Sequence, residues 1–265
     1  MTGVTAGTDK SDGIALVTGA AGGIGAAVVR ALCERGAFVA AVDRDAEGLA
    51  EMADKARADG ARVAAFAADI TDRAAVEALV DEVEREIGPI DHLVNAAGVL
   101  RLGAARSLTD QDWADTFAVN TTGVFTMSST VVDRMVARRA GAIVTITSNA
   151  AGTARVGMAA YAASKAAASM YTKCLGLEVA QFGVRCNLVA PGSTETAMLT
   201  SMWRDESGRA ATVDGDPTAF KVGIPLGRVA DPADIADAVA FLLSPRARHI
   251  TMHDLTVDGG ATLGV

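Results

Sequence analysis

Clustered basic charge is missing from this chain of 265 residues: Asp and Glu outnumber Lys and Arg by 32 to 24, for a net charge of −8. That excludes nucleic acid as a partner, because neutralising phosphates takes grouped Lys and Arg. Long apolar runs are missing as well. None approaches the ~18 residues of a membrane-spanning helix, and the polar opening MTGVTAGTDKSDG has no apolar signal core. Residues 1–12 read as a short disordered leader. Cysteine is scarce: Cys33, Cys174 and Cys186 form no C-x-x-C pair and lie in apolar contexts, so they read as reduced core thiols of a cytoplasmic protein. The three histidines, His92, His249 and His253, have no metal-ligand spacing; structural or interface roles are expected, and no metal. No G-x-S-x-G nucleophile elbow is present. Aromatics make up only 4% of the chain, so alanine and valine must fill the core.

Apolar residues are half of the chain, enough for a sheet buried on both faces. Short apolar strands at Ile14–Thr18, Phe38–Val42, Arg62–Ala68, Asp91–Asn95, Gly141–Thr147, Val184–Ala190 and Leu255–Val257 alternate with helical stretches. Helices are expected to Glu34 and over Ala46–Ala58, Arg73–Ile87, Met158–Val179 and Asp231–Leu243, with one continuous helix from Thr109 to about Arg139. Repeated strand–helix pairs predict a Rossmann-like, doubly wound parallel sheet of seven strands in the order 3-2-1-4-5-6-7, helices on both faces, as a single domain over residues 13–265. Residues 193–224 have weak periodicity and read as a mobile excursion over the substrate.

The first strand runs into Gly19-Ala-Ala-Gly-Gly23-Ile24-Gly25 and then a helix. Glycines there let a pyrophosphate approach the backbone, and the helix N-terminus offers N–H donors. Asp43 ends the second strand, 18 residues past Gly25, near the ~20 expected of a carboxylate that binds ribose hydroxyls. A carboxylate there repels a 2′-phosphate and favours NAD over NADP, although the adjacent Arg44 could welcome that phosphate. Asp69, followed by Ile70, ends the third strand, placed either to reach the adenine or to cap the next helix, for which Thr71 and Asp72 are the other candidates. Asn95-Ala96-Ala97-Gly98 leaves room for adenosine or makes a plain tight turn.

Tyr161 and Lys165 lie four residues apart in an Ala-rich helical run, so phenol and ammonium share one face. A nearby cation favours phenolate and lowers a phenol from its usual ~10, which would make Tyr161 a proton acceptor or donor near neutrality. Tyr171, the only other tyrosine, has no such lysine. Ser148 ends the apolar strand AIVTITS, where an alcohol could hydrogen-bond a substrate oxygen.

Thr18-Gly-Ala-Ala-Gly-Gly-Ile-Gly25, Asn95-Ala-Ala-Gly98, Asn120, Ser148, Tyr161-x-x-x-Lys165 and Pro191-Gly192, in that order, resemble the short-chain dehydrogenase/reductase family across nearly the whole chain. The resemblance implies a tetrad of Asn120, Ser148, Tyr161 and Lys165. In it Tyr161 is the acid–base and Ser148 orients the substrate. Lys165 holds the nicotinamide ribose and lowers the tyrosine pKa, and Asn120 supports a water linking Lys165 to solvent. Thr194 and Thr196 are then expected at the nicotinamide amide or the phosphates.

A narrower likeness, to the 2,3-dihydro-2,3-dihydroxybenzoate dehydrogenases of catechol siderophore pathways, rests chiefly on FKVGIPLGR at Phe220–Arg228 and HITMHDLTVDGGATLGV at His249–Val265. It implies a small carboxylated cyclohexadiene trans-diol as substrate, NAD as cofactor and a homotetramer. Arg101 and Arg155 are then candidates to grip the carboxylate through two parallel hydrogen bonds, or else make surface ion pairs. Met198, Trp203 and Phe220 would close over the ring or anchor the excursion. Three rivals remain: a dehydrogenase of the amino analogue 2,3-dihydro-3-hydroxyanthranilate, an NADPH-dependent ketoreductase, and a nucleotide sensor without turnover.

Overall fold

Alternate residues of the first strand, β1 (Ile14–Thr18), belong to different layers: Ala15 and Val17 pack into one apolar cluster and Leu16 into another. The same alternation runs through β2 (Phe38–Asp43), where Val39 and Ala41 face one way and Ala40 and Val42 the other. Strands buried on both faces belong to a parallel sheet covered by helices. A computed structural model, describing residues 13–203 and 205–264, has that architecture; the leader expected over 1–12 lies outside the described residues. Its sheet is seven-stranded in the order β3-β2-β1-β4-β5-β6-β7, as expected, and every pairing is parallel. The remaining strands are β3 (Val63–Ala67), β4 (Ile90–Asn95), β5 (Gly141–Ile146), β6 (Val184–Pro191) and β7 (Asp254–Val257).

Helices α1 (Gly23–Glu34), α2 (Ala46–Ala58) and α9 (Pro232–Leu243) cover one face, and α3 (Arg73–Glu86), α5 (Val124–Arg138) and α6 (Ala159–Val179) the other. Their starts follow from the sequence. Asp45, Asp72, Thr109 and Asp231 accept hydrogen bonds from first-turn N–H groups. At α9 the carboxylates of Asp231 and Asp234 cap reciprocally around Pro232.

Three expectations need correction. The long helix from Thr109 is interrupted: α4 (Asp110–Phe117) passes into a π-helical turn, Ala118–Gly123, before α5. The excursion is partly helical, with α7 (Ala197–Thr200) and α8 (Gly208–Asp214) around a small cluster of Leu199, Ile224, Val229 and Ala261. Its apolar residues are too few and too irregularly spaced to register as a period. Among the thiols Cys186 is buried and Cys33 half-buried, but Cys174 is exposed, because it falls on the outer face of α6.

Candidate active site

Strand order reverses between β1 and β4, and a cavity of about 340 Å³ opens at the carboxyl ends of these strands and of β2, where α/β sheets bind ligands. Gly19, Gly23, Ile24, Gly25, Asp43, Arg44, Asp69, Ile70, Ala96, Gly98 and Thr196 all line it, as do Val99 and Met198. Glycine is required here by space as well as by backbone. A Cβ on Gly25 would lie 2.0 Å from the Gly19 carbonyl oxygen, and Gly19 has a φ of 70°. Thr18 Oγ1 accepts from the N–H groups of Ala96 (3.1 Å) and Ala97 (3.2 Å), fixing the β4 turn against the glycine loop.

The Asp43 carboxylate is held by two backbone donors, Ala21 N–H at 3.1 Å and Asp45 N–H at 3.0 Å. That fixes it at the cavity wall, while Arg44 is exposed beside it. Asp69 receives the Thr71 backbone N–H and hydroxyl, and chiefly for that reason its carboxyl titrates below the ordinary range. Asp72, rather than Asp69, caps α3.

Not every expected residue turns toward the cavity. Asn95 is 2% exposed and donates inward to Ser128 (2.9 Å) and Thr145 (3.3 Å). Thr194 is buried and donates to the Gly192 carbonyl at 3.2 Å. Pro191 closes β6, and Gly192 packs against Asp258 beyond β7.

The four tetrad residues do not line this cavity; they come together next to Gly98, which does. Lys165, 4% exposed, donates to the Ile146 carbonyl at 2.9 Å, with its ammonium 5.8 Å from the centre of the Tyr161 ring. Burial lowers its pKa to about 8. Tyr161 is hydrogen-bonded with Ser148. The cation was expected to lower this phenol; instead burial raises it above the ordinary value, and the Ser148 hydrogen bond opposes that only in part. Ser148 Oγ also accepts from Ala150 N–H at 3.1 Å.

Asn120 lies in the π-turn, fully buried, and clips the Val99 backbone: Oδ1 accepts from Val99 N–H at 2.8 Å and Nδ2 donates to Val99 O at 2.9 Å. Nδ2 also reaches Ser164 Oγ on α6 at 3.0 Å. A Cβ on Gly98 would stand 3.3 Å from both Asn120 Oδ1 and Lys165 Nζ, so the small residue lets cavity and tetrad meet. An acid–base pair thus sits beside a glycine-cradled nucleotide cleft, and residues 13–207 match the short chain dehydrogenase family model.

The chain belongs to the short-chain dehydrogenase family.

Relatives match over nearly the whole of both chains. This dehydrogenase is 56% identical over 252 residues to the 2,3-dihydro-2,3-dihydroxybenzoate dehydrogenase of Bacillus subtilis (strain 168), covering 95% of this chain and 97% of that one. It is 43% identical to the vibriobactin-specific 2,3-dihydro-2,3-dihydroxybenzoate dehydrogenase of Vibrio cholerae serotype O1, covering 94% and 95%. Among solved structures, a gluconate 5-dehydrogenase from Burkholderia cenocepacia J2315 in complex with NADP and tartrate superposes with a TM-score of 0.89 at 32% identity, covering 97% and 99%.

At the substrate side, Gly103 pairs with the Gly157–Met158 backbone, so the Arg101 loop runs along the Arg155 loop. Arg101 is exposed and Arg155 half-buried. Lys221, which the sequence reading passed over, is half-buried in the dehydrogenase. Burial and then the neighbouring Arg155 charge push it below the ordinary lysine range, with Asp216 pulling the other way. Neither Arg155 nor Lys221 forms an ion pair among the described residues. Of the three apolar candidates, Met198 lines the cavity. Trp203 anchors the excursion, its ring nitrogen donating to Thr212 at 3.1 Å, and Phe220 is 87% exposed.

Proposed function

We propose that this dehydrogenase oxidises 2,3-dihydro-2,3-dihydroxybenzoate to 2,3-dihydroxybenzoate, a catechol siderophore precursor, with NAD+ as acceptor. The observation that carries the reading is the match at 56% identity, over 95% of the chain, to a relative named for that activity. The residues present fit the cofactor: glycines at positions a Cβ would fill, and a carboxylate fixed at the end of β2. A carboxylate fixed at Asp43 repels a 2′-phosphate, which supports NAD over NADP. When bound, the nicotinamide accepts a hydride from the carbinol carbon.

The chain's own residues handle the proton. Ser148 orients the C3 hydroxyl and Tyr161 takes its proton. Burial opposes charge on the phenol and on the Lys165 ammonium alike, so phenolate and ammonium forming together offset each other's desolvation. Loss of hydride and proton leaves a ketone at C3, which tautomerises to the aromatic catechol. Aromatisation drives oxidation, so the enzyme runs as a dehydrogenase. The Arg155–Lys221 pair supports an anionic substrate: two neighbouring cations that form no ion pair among the described residues, with Asp216 acting on Lys221 only in part, in a chain with eight more acidic than basic groups (32 against 24), favour a ligand that brings a carboxylate. The exposed Phe125, Met170 and Leu177 on α5 and α6 support assembly through those helices, with a homotetramer as the proposed state.

The test is reduction of NAD+ and NADP+ by a panel of cyclic diols and amino-alcohols, with products identified by mass. The diol acid with NAD+ is expected to give the highest kcat/KM and to yield 2,3-dihydroxybenzoate. Preference for the amino analogue, or for NADPH-driven carbonyl reduction, overturns the reading.

A further inference from the structure

Asp258 does not line the cofactor cavity, yet the turn after β5 and the loop after β7 both donate to its carboxylate, and the loop after β6 packs against its Cβ. It follows β7 directly and is 9% exposed. Its Oδ2 accepts from Asn149 Nδ2 at 3.2 Å and from Thr262 Oγ1 at 2.7 Å, and its Oδ1 accepts from Gly260 N–H at 2.9 Å. The loop after β6 joins from the other side: Gly192 N–H donates to Val257 O at 3.0 Å. A Cβ on Gly192 would fall 2.6 Å from Asp258 Cβ and 3.4 Å from Asn149 Nδ2. Glycine at 192 is therefore what allows the post-β5 and post-β6 loops to meet at one anion. Burial alone would raise the Asp258 carboxyl; the hydrogen bonds from Thr262, Asn149 and Gly260 overcome that and hold it below the ordinary range.

The two loops brought together are those of the proposed chemistry. Asn149 is bonded in sequence to Ser148, whose Oγ caps the short turn Asn149–Ala151. Gly192 leads to Thr196, which lines the cavity. A shift of the turn carries Ser148 with it, and a shift of about 1 Å in a reacting group costs roughly a hundredfold in rate. We propose that Asp258 is a positioning residue: it grips Asn149 and seats Gly192, and so fixes Ser148 relative to the loop that bears Thr196. This rests on the reading above only in giving Ser148 the task of orienting the carbinol.

Chemistry supplies a reciprocal test. Asp258→Asn turns a donor toward the Asn149 amide, and Asn149→Asp sets two carboxylates face to face. The double variant Asn149→Asp/Asp258→Asn exchanges donor and acceptor and restores the pair, while the Thr262 hydroxyl, donor and acceptor both, rotates to suit. The assay uses whichever carbinol the wild-type enzyme oxidises, so failure of the diol acid counts against the substrate reading alone. Each single variant is expected to lose at least ~10-fold in kcat, with the NAD+ dissociation constant changed less than ~3-fold, and the double variant to return within ~3-fold of wild type. Wild-type kcat in Asp258→Asn overturns the proposal, and so does a folded double variant that stays slow. Should the double variant fail to fold, Asn149→Ala decides. It removes the donor and leaves Asp258 in place; a kcat loss without an NAD+ affinity loss supports the proposal, and unchanged kcat overturns it.

Discussion

Arg155 and Lys221 place two positive charges near each other, and among the described residues neither forms an ion pair, although Asp216 acts on Lys221 from further away. Such a pair is unfavourable unless something anionic joins it, and a ring carboxylate held by a guanidinium gains two charge-assisted hydrogen bonds. Arg155→Ala and Lys221→Gln are each expected to raise KM for the carboxylated diol at least ~10-fold with little change for an uncharged cyclic diol, since a hydrogen bond to a charged group contributes ~1.5–3 kcal/mol. Steady-state kinetics on both substrates checks this. Equal effects on both would remove the pair from the substrate site. Arg155 was legible because it lies between Ser148 and Tyr161 in sequence. Lys221 was not, because it is 56 residues beyond Lys165 in a stretch without periodicity, and only the fold brings it to Arg155.

The π-turn at Ala118–Gly123, like α7 and α8, was not legible in the sequence. Apolar spacing on both sides fits an α-helix, and one widened turn shifts the pattern by less than the spread of a helical stripe. Its cause is tertiary. Asn120 spends its side chain on the Val99 backbone and Ser164, and Thr121 Oγ1 donates to the Ser164 carbonyl at 3.0 Å. Gly123 gives room to Ile70, whose Cδ1 would stand 2.5 Å from a Cβ there. The turn thus joins the cavity wall to α6. Asn120→Ala is expected to lower stability by about 2–4 kcal/mol, because two Val99 backbone groups lose their partner. Urea unfolding measures the loss; a change under about 0.5 kcal/mol would mean that the clip is dispensable. Helix starts were far more legible, since Thr109, Asp231 and Pro232 carry their capping chemistry locally.

Across the whole molecule the sheet order was readable from the alternation of strands with helices, because right-handed crossovers leave few alternatives. Titration was less readable, because burial is a property of the fold. The Lys165 pKa of about 8 lies below the ~10.4 of an unfolded lysine. Between those values the unfolded chain holds a proton that the folded one has lost, so this group makes stability rise with pH through that window. Lys165→Met should therefore be more stable than wild type at pH 7, by up to about 3 kcal/mol. That advantage should shrink as pH approaches ~10.5; a pH-independent difference between the two proteins would contradict the burial account. The most direct test of the central claim, a half-buried phenol that takes the carbinol proton, is single-turnover oxidation of 2,3-dihydro-2,3-dihydroxybenzoate by NAD+ in wild type and Tyr161→Phe. The account predicts a fall in rate of at least ~100-fold with NAD+ affinity held within ~3-fold; a Tyr161→Phe enzyme that oxidises the diol at near the wild-type rate would contradict it.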